Sequence, residues 1–402
     1  MVEVHRALLS VSNKEGLADF ATGLRDLGVT LFATGGTASF LRAKGVAVSD
    51  LEEITGQGAI LEGRVKTLHP KVHGAILAVP TKEEHRRDLA QLGVERFDLV
   101  VVNLYPFEEA VAKGASDAAI IENIDIGGVA LLRSAAKNAD HVLVVSDPRQ
   151  YEGLLAELKG AGDARAETRH RLALDAFART SAYDAAITNW WSRRAGSPIP
   201  AHLRIAFEKA QDLRYGENPY QKAAFYRDPD ARDLSLADCE QLHGKELSFN
   251  NLLDFHAALE LALEFTESVA VVIKHGNPSG VAVRESPAEA YSTAYAADEK
   301  AAYGCVLAFN RTVDLAAAKA MKGHFVEGII APAFAQDALD RLRKRENLRL
   351  MRPRGEWKSA PGWQAIHVRG GLLVQTTGGP TLERNALKVV TRAKPTDAQV
   401  RD

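Results

Sequence analysis

Sulfur is scarce in this chain of 402 residues, which has two cysteines and three methionines. Cys239 and Cys305 lie far apart in sequence, with no C-x-x-C pair and no cysteine–histidine cluster at zinc spacing. That excludes a disulfide framework and a structural zinc, and points to a reducing compartment. No apolar run approaches the roughly 18 residues that a membrane span needs, and the first residues show no basic segment followed by an apolar one. A cytoplasmic protein without a membrane partner is expected. Charge of one sign is lacking too: the formal net charge is -2, so no global positive field recruits nucleic acid. What remains, 46% hydrophobic and 25% charged residues, is ordinary globular material, long enough for two or three domains.

Basic residues are instead concentrated locally. Gly63-Arg-Val-Lys-Thr-Leu-His-Pro-Lys-Val-His-Gly74 holds Arg64, Lys66, His69, Lys71 and His73 in one glycine-bounded, proline-interrupted stretch. With Thr34-Gly35-Gly36-Thr37 upstream, it suits a small phosphorylated metabolite. Glycines let amides approach phosphate oxygens, threonine hydroxyls add donors, a following helix start adds a favourable dipole, and Arg and Lys supply countercharge. His69 and His73 are four apart, but Pro70 between them argues against a helical ligand pair. No metal is expected.

The first half alternates apolar runs (Ala7–Val11, Thr30–Ala33, Leu99–Val102, His141–Val145) with helical patterns (Gly16–Leu27, Ala38–Lys44, Val129–Ala136). This alternation predicts an α/β domain with a mostly parallel sheet covered on both faces. Ligands bind such sheets beyond the carboxyl ends of the strands. That rule gathers Ser10–Lys14, Thr34–Thr37 and Asn103-Leu-Tyr-Pro-Phe107 on one edge, and Asp125-Ile-Gly-Gly128 precedes a further helix. Arg133 and Lys137, four apart, share a face of the helix that follows. A Gly/Pro/Ser break at Arg194–Pro200 sets a domain boundary, with domains 1–197 and 198–402.

The second half offers Arg214-Tyr-Gly-Glu-Asn-Pro-Tyr-Gln221, Gly244–Asn251 leading into a helix, and a strand Ser268–Ile273 ending in Lys274-His-Gly-Asn-Pro-Ser-Gly280. A Lys-His pair at a strand end presents a cation beside a proton acceptor, although turns favour Gly, Asn, Pro and Ser on their own account. Tyr303–Asn310 and Gly328–Pro332 are further apolar segments. Pro395–Asp402 reads as the start of a helix, with Thr396 as its cap.

Taken in order, these motifs resemble the bifunctional purine-biosynthesis enzymes that join AICAR transformylase to IMP cyclohydrolase, and the resemblance runs from Leu8 to the last residue. It implies a methylglyoxal-synthase-like three-layer domain that closes formyl-AICAR to IMP without a cofactor. After it comes a cytidine-deaminase-like, zinc-free α/β subdomain that takes a formyl group from 10-formyltetrahydrofolate as cosubstrate. On the cyclohydrolase side, Ser12, Asn13, Lys14, Thr34, Gly35, Gly36, Thr37, Arg64, Val65, Thr67, Asn103, Leu104 and Ile126 match nucleotide-contacting positions. Lys66 and Tyr105 would stabilise the developing alkoxide, while Asp125 and Lys137 would move protons to the departing water. For formyl transfer, Lys274 matches a transition-state stabiliser and His275 a general base, with Arg214, Tyr215, Gly304 and Glu327 at substrate positions. The resemblance further implies a homodimer acting on AICAR, formyl-AICAR, IMP and folate. Family members carry a later Lys-Ser-Asn segment, an Asp-Ala-Phe-Phe-Pro-Phe segment and an Arg/His-rich stretch that do not occur here. Strong ring closure and weak formyl transfer are therefore expected of this chain. Two alternatives remain at this stage: methylglyoxal-synthase-type phosphate elimination, and a catalytically silent AICAR- or IMP-binding module.

Overall fold

The apolar runs of the first half pair into one all-parallel sheet. Its strands are β1 (Arg6–Val11), β2 (Thr30–Ala33), β3 (Ser49–Asp50), β4 (Leu99–Asn103) and β5 (Leu143–Val145), in the order β3-β2-β1-β4-β5. The helices between and after them are α1 (Leu17–Asp26), α2 (Gly35–Ala43), α3 (Glu52–Thr55), α4 (Pro70–Leu77), α5 (Glu83–Leu92), α6 (Phe107–Ala112), α7 (Asp117–Glu122), α8 (Gly127–Lys137), α9 (Tyr151–Ala161) and α10 (Ala166–Arg194). This computed structural model describes residues 4–161, 164–196, 199–229, 231, 234–358, 362–377 and 388–401.

Leu99, Val100, Val101 and Val102 are all at most 1% exposed. Continuous burial, rather than alternation, marks a strand covered on both faces. Each such side chain contributes about 1.5–3 kcal/mol on leaving water. On α10, Leu172, Ala176, Thr180, Tyr183 and Trp190 form the buried stripe, which packs on α8 and β5. The chain runs outward from β1 through β2 to β3, then crosses back to β4 on the other side of β1. Strand order therefore reverses between β1 and β4, and a crevice opens at their carboxyl ends.

Two local features differ from the sequence reading. Helix α2 begins at Gly35, so Gly35, Gly36 and Thr37 form its first turn instead of a preceding loop. The two-residue β3 is too short to leave a periodic signal.

The second half builds a separate α/β sheet. Its elements are β6 (Glu208–Leu213), β7 (Ala223–Arg227), β8 (Glu240–His243), α11 (Phe249–Leu263), β9 (Val269–Lys274), β10 (Asn277–Val283), α12 (Pro287–Ala296), β11 (Cys305–Phe309), α13 (Leu315–Ala320), β12 (Val326–Ile330), α14 (Gln336–Leu342), β13 (Arg349–Arg352), β14 (Trp363–Val368), β15 (Gly371–Thr376) and α15 (Asp397–Arg401). Six strands lie in the mixed order β10-β9-β11-β12-β13-β8, while β6-β7 and β14-β15 form separate hairpins. Val269, Val271 and Ile273 of β9 enter one core with α11, whereas Ala270 and Val272 enter another with α12, α13 and α14. Period-two alternation thus feeds two cores, one on each face.

Lys274 pairs with Asn277 across the β9–β10 hairpin, leaving His275 at φ 55 and Gly276 at φ 74 as its two turn residues. Two left-handed residues are what a type I′ hairpin turn requires. Asn277–Gly280 therefore starts a strand instead of extending the turn, and Pro278 is accommodated because β10 is an edge strand. At the other end of this half, the Thr396 hydroxyl accepts the Gln399 amide at 3.3 Å and caps α15.

The chain divides into two compact units, Met1–Ala206 and Phe207–Asp402. The boundary expected between 197 and 198 falls on residues outside the described set. No helix among the described residues is long and apolar enough to cross a membrane.

Candidate active site

A cavity of about 580 Å³ occupies the crevice at the ends of β1 and β4. Ser12 and Lys14 reach it from β1, Thr34, Gly36 and Thr37 from the β2–α2 junction, and Arg64, Lys66 and Thr67 from the loop before α4. Asn103 and Tyr105 come from the end of β4, and Asp125 and Ile126 from the start of α8. The segments of Ser12 and Lys14, Thr34–Thr37, and Asn103 and Tyr105 directly follow β1, β2 and β4 of the same parallel sheet, and the turns before α4 and α8 close over them.

Asn103 organises the first of these loops. Its Oδ1 accepts the amides of Ser12 at 2.6 Å and Asn13 at 2.8 Å, and its Nδ2 donates to the Asn13 carbonyl at 2.8 Å. Lys14 Nζ donates to the Val11 carbonyl and, at 3.3 Å, to that of Ser12. Burial holds the Lys14 ammonium below the usual lysine range, and the third of its three donors remains for a ligand. Thr37 is 2% exposed, and its hydroxyl both accepts from the Val11 amide and donates to the Val11 carbonyl at 3.2 Å. Its side chain thus ties α2 to β1. What α2 offers the cavity is the backbone of Gly35 and Gly36 at its start and its positive dipole end, a natural anion seat, while the Thr37 amide is bonded to the Thr34 carbonyl at 2.8 Å.

Asp125 is the buried acid of the site. Its Oδ1 accepts the Gly128 amide at 2.7 Å and its Oδ2 the Tyr105 amide at 3.3 Å. Burial pushes its carboxyl above the ordinary aspartate range, against those two hydrogen bonds and the Lys66 charge. Arg64 is partnered within the site: its Nη2 lies 2.5 Å from Glu122 Oε2.

Five of the expected residues stand apart from the cavity lining. Lys137 is the last residue of the eleven-residue α8, whose first turn meets the cavity. A rise of 1.5 Å per residue places it about 15 Å further along the axis, exposed to solvent. A role in shuttling protons at this site does not follow from that position. The Leu104 side chain is 6% exposed and belongs to the sheet core, because it points away from the crevice. Val65 pairs through its backbone with Ile60. Asn13 turns its Oδ1 onto the Glu15 amide, and Gly35 lies beside the lining residue Gly36. His69 and His73 also part company: His69 Nδ1 accepts the Lys71 amide at 3.1 Å as a helix cap, while His73 Nδ1 lies 3.0 Å from Ser134 Oγ.

In the second unit, Lys274 Nζ donates to the Gly304 carbonyl at 2.8 Å and stands 3.9 Å from Glu327. Glu327 is also 3.1 Å from Asn251 Nδ2 and 3.8 Å from Arg349, whose side chain is only 7% exposed. Lys274, Gly304 and Glu327 are therefore brought together. His275 lies exposed on the hairpin turn, sharing with Lys274, Asn277 and Tyr303 a shallow cavity of about 540 Å³. Arg214 bonds the Tyr215 hydroxyl at 2.8 Å, and neither lines that cavity. Asp254 accepts the Gly276 amide at 2.7 Å and so fixes the hairpin turn. Its carboxyl is raised by burial.

Sequence reasoning passed over Glu122, Asn251, Asp254, Arg349 and Tyr183. Asn251 ends a motif already singled out, and Asp254 follows one helical turn later. Nothing in a single sequence distinguishes Glu122, Tyr183 or Arg349 from ordinary helix and strand residues.

Residues 135–402 match the family described as AICARFT/IMPCHase bienzyme, and residues 16–130 match the MGS-like domain. Over 398 residues the chain is 46% identical to the bifunctional purine biosynthesis protein PurH of Bacillus mycoides (strain KBAB4) and 45% identical to that of Thermoanaerobacter sp. (strain X514). In both cases the match covers 99% of this chain and 78% of the relative. A solved structure titled "Crystal structure of ForH" is 37% identical, with a TM-score of 0.41, over 46% of this chain and 96% of that one. With more than half of its length in one family match and near-complete alignment to these relatives, the chain belongs to the AICARFT/IMPCHase bienzyme family.

Proposed function

We propose that the first unit closes formyl-AICAR to IMP with loss of water, and that the second unit carries residues for formyl transfer from 10-formyltetrahydrofolate to AICAR. The observation that carries the ring-closure reading is the single cavity shared by Lys14, Lys66, Tyr105 and Asp125 at the strand-order reversal. A ribotide phosphate sits at the start of α2, with Lys14 and Arg64 as countercharge. The carboxamide nitrogen then attacks the formyl carbon, and the formyl oxygen becomes an alkoxide facing Lys66 and Tyr105. Asp125, ionised, accepts the proton released by the attacking nitrogen and returns it to that oxygen. Loss of the hydroxyl, together with the proton on the former formamide nitrogen, completes one water and leaves the ring double bond. No metal or cofactor enters this balance.

In the second unit, Lys274 stabilises the transition state and His275 takes the proton of the attacking amine, with Glu327, Gly304, Arg214 and Tyr215 on the substrate. The protein works as a cytoplasmic homodimer, its two cysteines kept as thiols. In support, the isolated β14–β15 hairpin exposes Ile366 at 53% and Leu373 at 60%, and two-stranded hairpins are marginal without a partner surface. Sedimentation of the purified chain reads the dimer directly.

Incubating the chain with formyl-AICAR and following IMP by absorbance tests ring closure. IMP formation is expected. Tight IMP binding without turnover would instead make the first unit a silent binding module.

A further inference from the structure

The Tyr183 hydroxyl lies outside the cavity yet grips the backbone that carries Asp125. Tyr183 is 0% exposed, and its hydroxyl accepts the Asp125 amide at 2.9 Å while donating to the Asn123 carbonyl at 2.7 Å. Both capacities of one hydroxyl are thus spent on the turn between α7 and α8. The same stretch of α10 also holds the other catalytic loop. Arg179 stacks 5.3 Å from the Tyr183 ring centroid and pairs with Glu108 at 2.6 Å. Phe107 meets the Tyr183 ring edge-on at 6.0 Å. Phe107 and Glu108 come two and three residues after Tyr105, so α10 anchors the segments bearing both Tyr105 and Asp125.

We infer that Tyr183 is a positioning residue for ring closure, setting the Asp125 carboxylate against the Tyr105 and Gly128 amides through its hydrogen bonds to the 123–125 backbone. The inference rests on the ring-closure reading. Without the hydroxyl, a buried carbonyl and a buried amide lose their partner, and the turn must shift or admit water to satisfy them. A displacement of about 1 Å of a reacting group costs on the order of 10²-fold in rate. Substrate contacts made by α2, Lys14 and Arg64 lie elsewhere and are left alone, so the loss falls on turnover and not on binding.

Tyr183→Phe keeps the ring and its packing and removes only the hydroxyl. In the 402-residue chain, kcat for IMP formation is expected to fall about 10- to 100-fold, with KM for formyl-AICAR within about twofold of wild type. In an Asp125→Asn background the same change should cost nothing further, because the effect runs through that carboxylate. Thr180→Val is the control: this buried hydroxyl, one turn earlier, bonds only the Phe177 carbonyl of its own helix, and kcat should be unchanged. Wild-type kcat in Tyr183→Phe, or an undiminished further loss in the Asp125→Asn background, overturns the proposal. Absence of IMP formation by the wild-type chain would instead overturn the ring-closure reading.

Discussion

Asp125 and Gly128 are joined by a 2.7 Å hydrogen bond from the glycine amide to Oδ1, and a Cβ on residue 128 would stand 2.5 Å from Asp125 Oδ2. The glycine is required for this approach, not for an unusual backbone. Gly128→Ala is therefore expected to displace the carboxylate and lower kcat for ring closure by about 10²-fold. Helix propensity favours alanine by up to about 1 kcal/mol, so thermal stability should barely fall. Kinetics and melting of the same sample separate the two effects.

Asp125 also carries a pH signature. Its carboxyl is pushed above the ordinary aspartate value of 3.8, burial being the largest cause. Because the ionised form accepts the proton in the proposed reaction, the acid limb of the kcat profile should lie above the ordinary aspartate range. Asp125→Asn should lower kcat by about 10²- to 10⁴-fold. For stability, a folded-state pKa above the unfolded one means the wild type is fully stabilised below the unfolded value and loses stability as pH rises through the folded one. Asp125→Asn escapes that loss. It should melt higher than wild type near neutral pH, and the two should converge in acid; a lower melting temperature at neutral pH would contradict the burial argument.

The sheet of the first unit was legible because its strands are buried on both faces and read as unbroken apolar runs. The crevice followed from the rule that ligands gather beyond strand ends. Lys137 was named by resemblance and not by the strand-end rule, and α8 carries it about 15 Å along the axis from the helix start, a distance that sequence separation alone does not give. Leu104 turns its side chain into the core, and a strand-end motif does not say which of its side chains do so. Tyr183 was invisible because its partners are backbone groups about sixty residues earlier.

The second unit has its own two cores, and Lys274 and His275 sit at the β9–β10 hairpin of its sheet. Lys274→Ala and His275→Ala are expected to leave IMP formation from formyl-AICAR unchanged; loss of ring closure in either would sink the two-site division. Gly304→Ala tests the local geometry. Gly304 adopts φ +74, and a Cβ there would meet Lys274 Nζ at 3.0 Å. Left-handed strain of about 1–2 kcal/mol and a displaced ammonium should lower the melting temperature of the second unit, again without affecting ring closure.

Arg64 is the cavity cation whose charge is already engaged, held by Glu122 through Nη2 at 2.5 Å and Nε at 3.3 Å. A ribotide phosphate recruiting this guanidinium must draw it away from Glu122, and both side chains are more than half exposed, so the competing pair is weak and screened by salt. Glu122→Gln removes the competitor while keeping the side-chain shape. The apparent affinity for IMP should rise about two- to fivefold at low ionic strength, with the gain shrinking as salt is added. Arg64→Gln should do the reverse, and combining it with Glu122→Gln should abolish the gain, because the carboxylate acts only through the guanidinium. Titrations with IMP at two salt concentrations decide it: weaker binding by Glu122→Gln would show that Glu122 presents Arg64 to the ligand instead of competing for it.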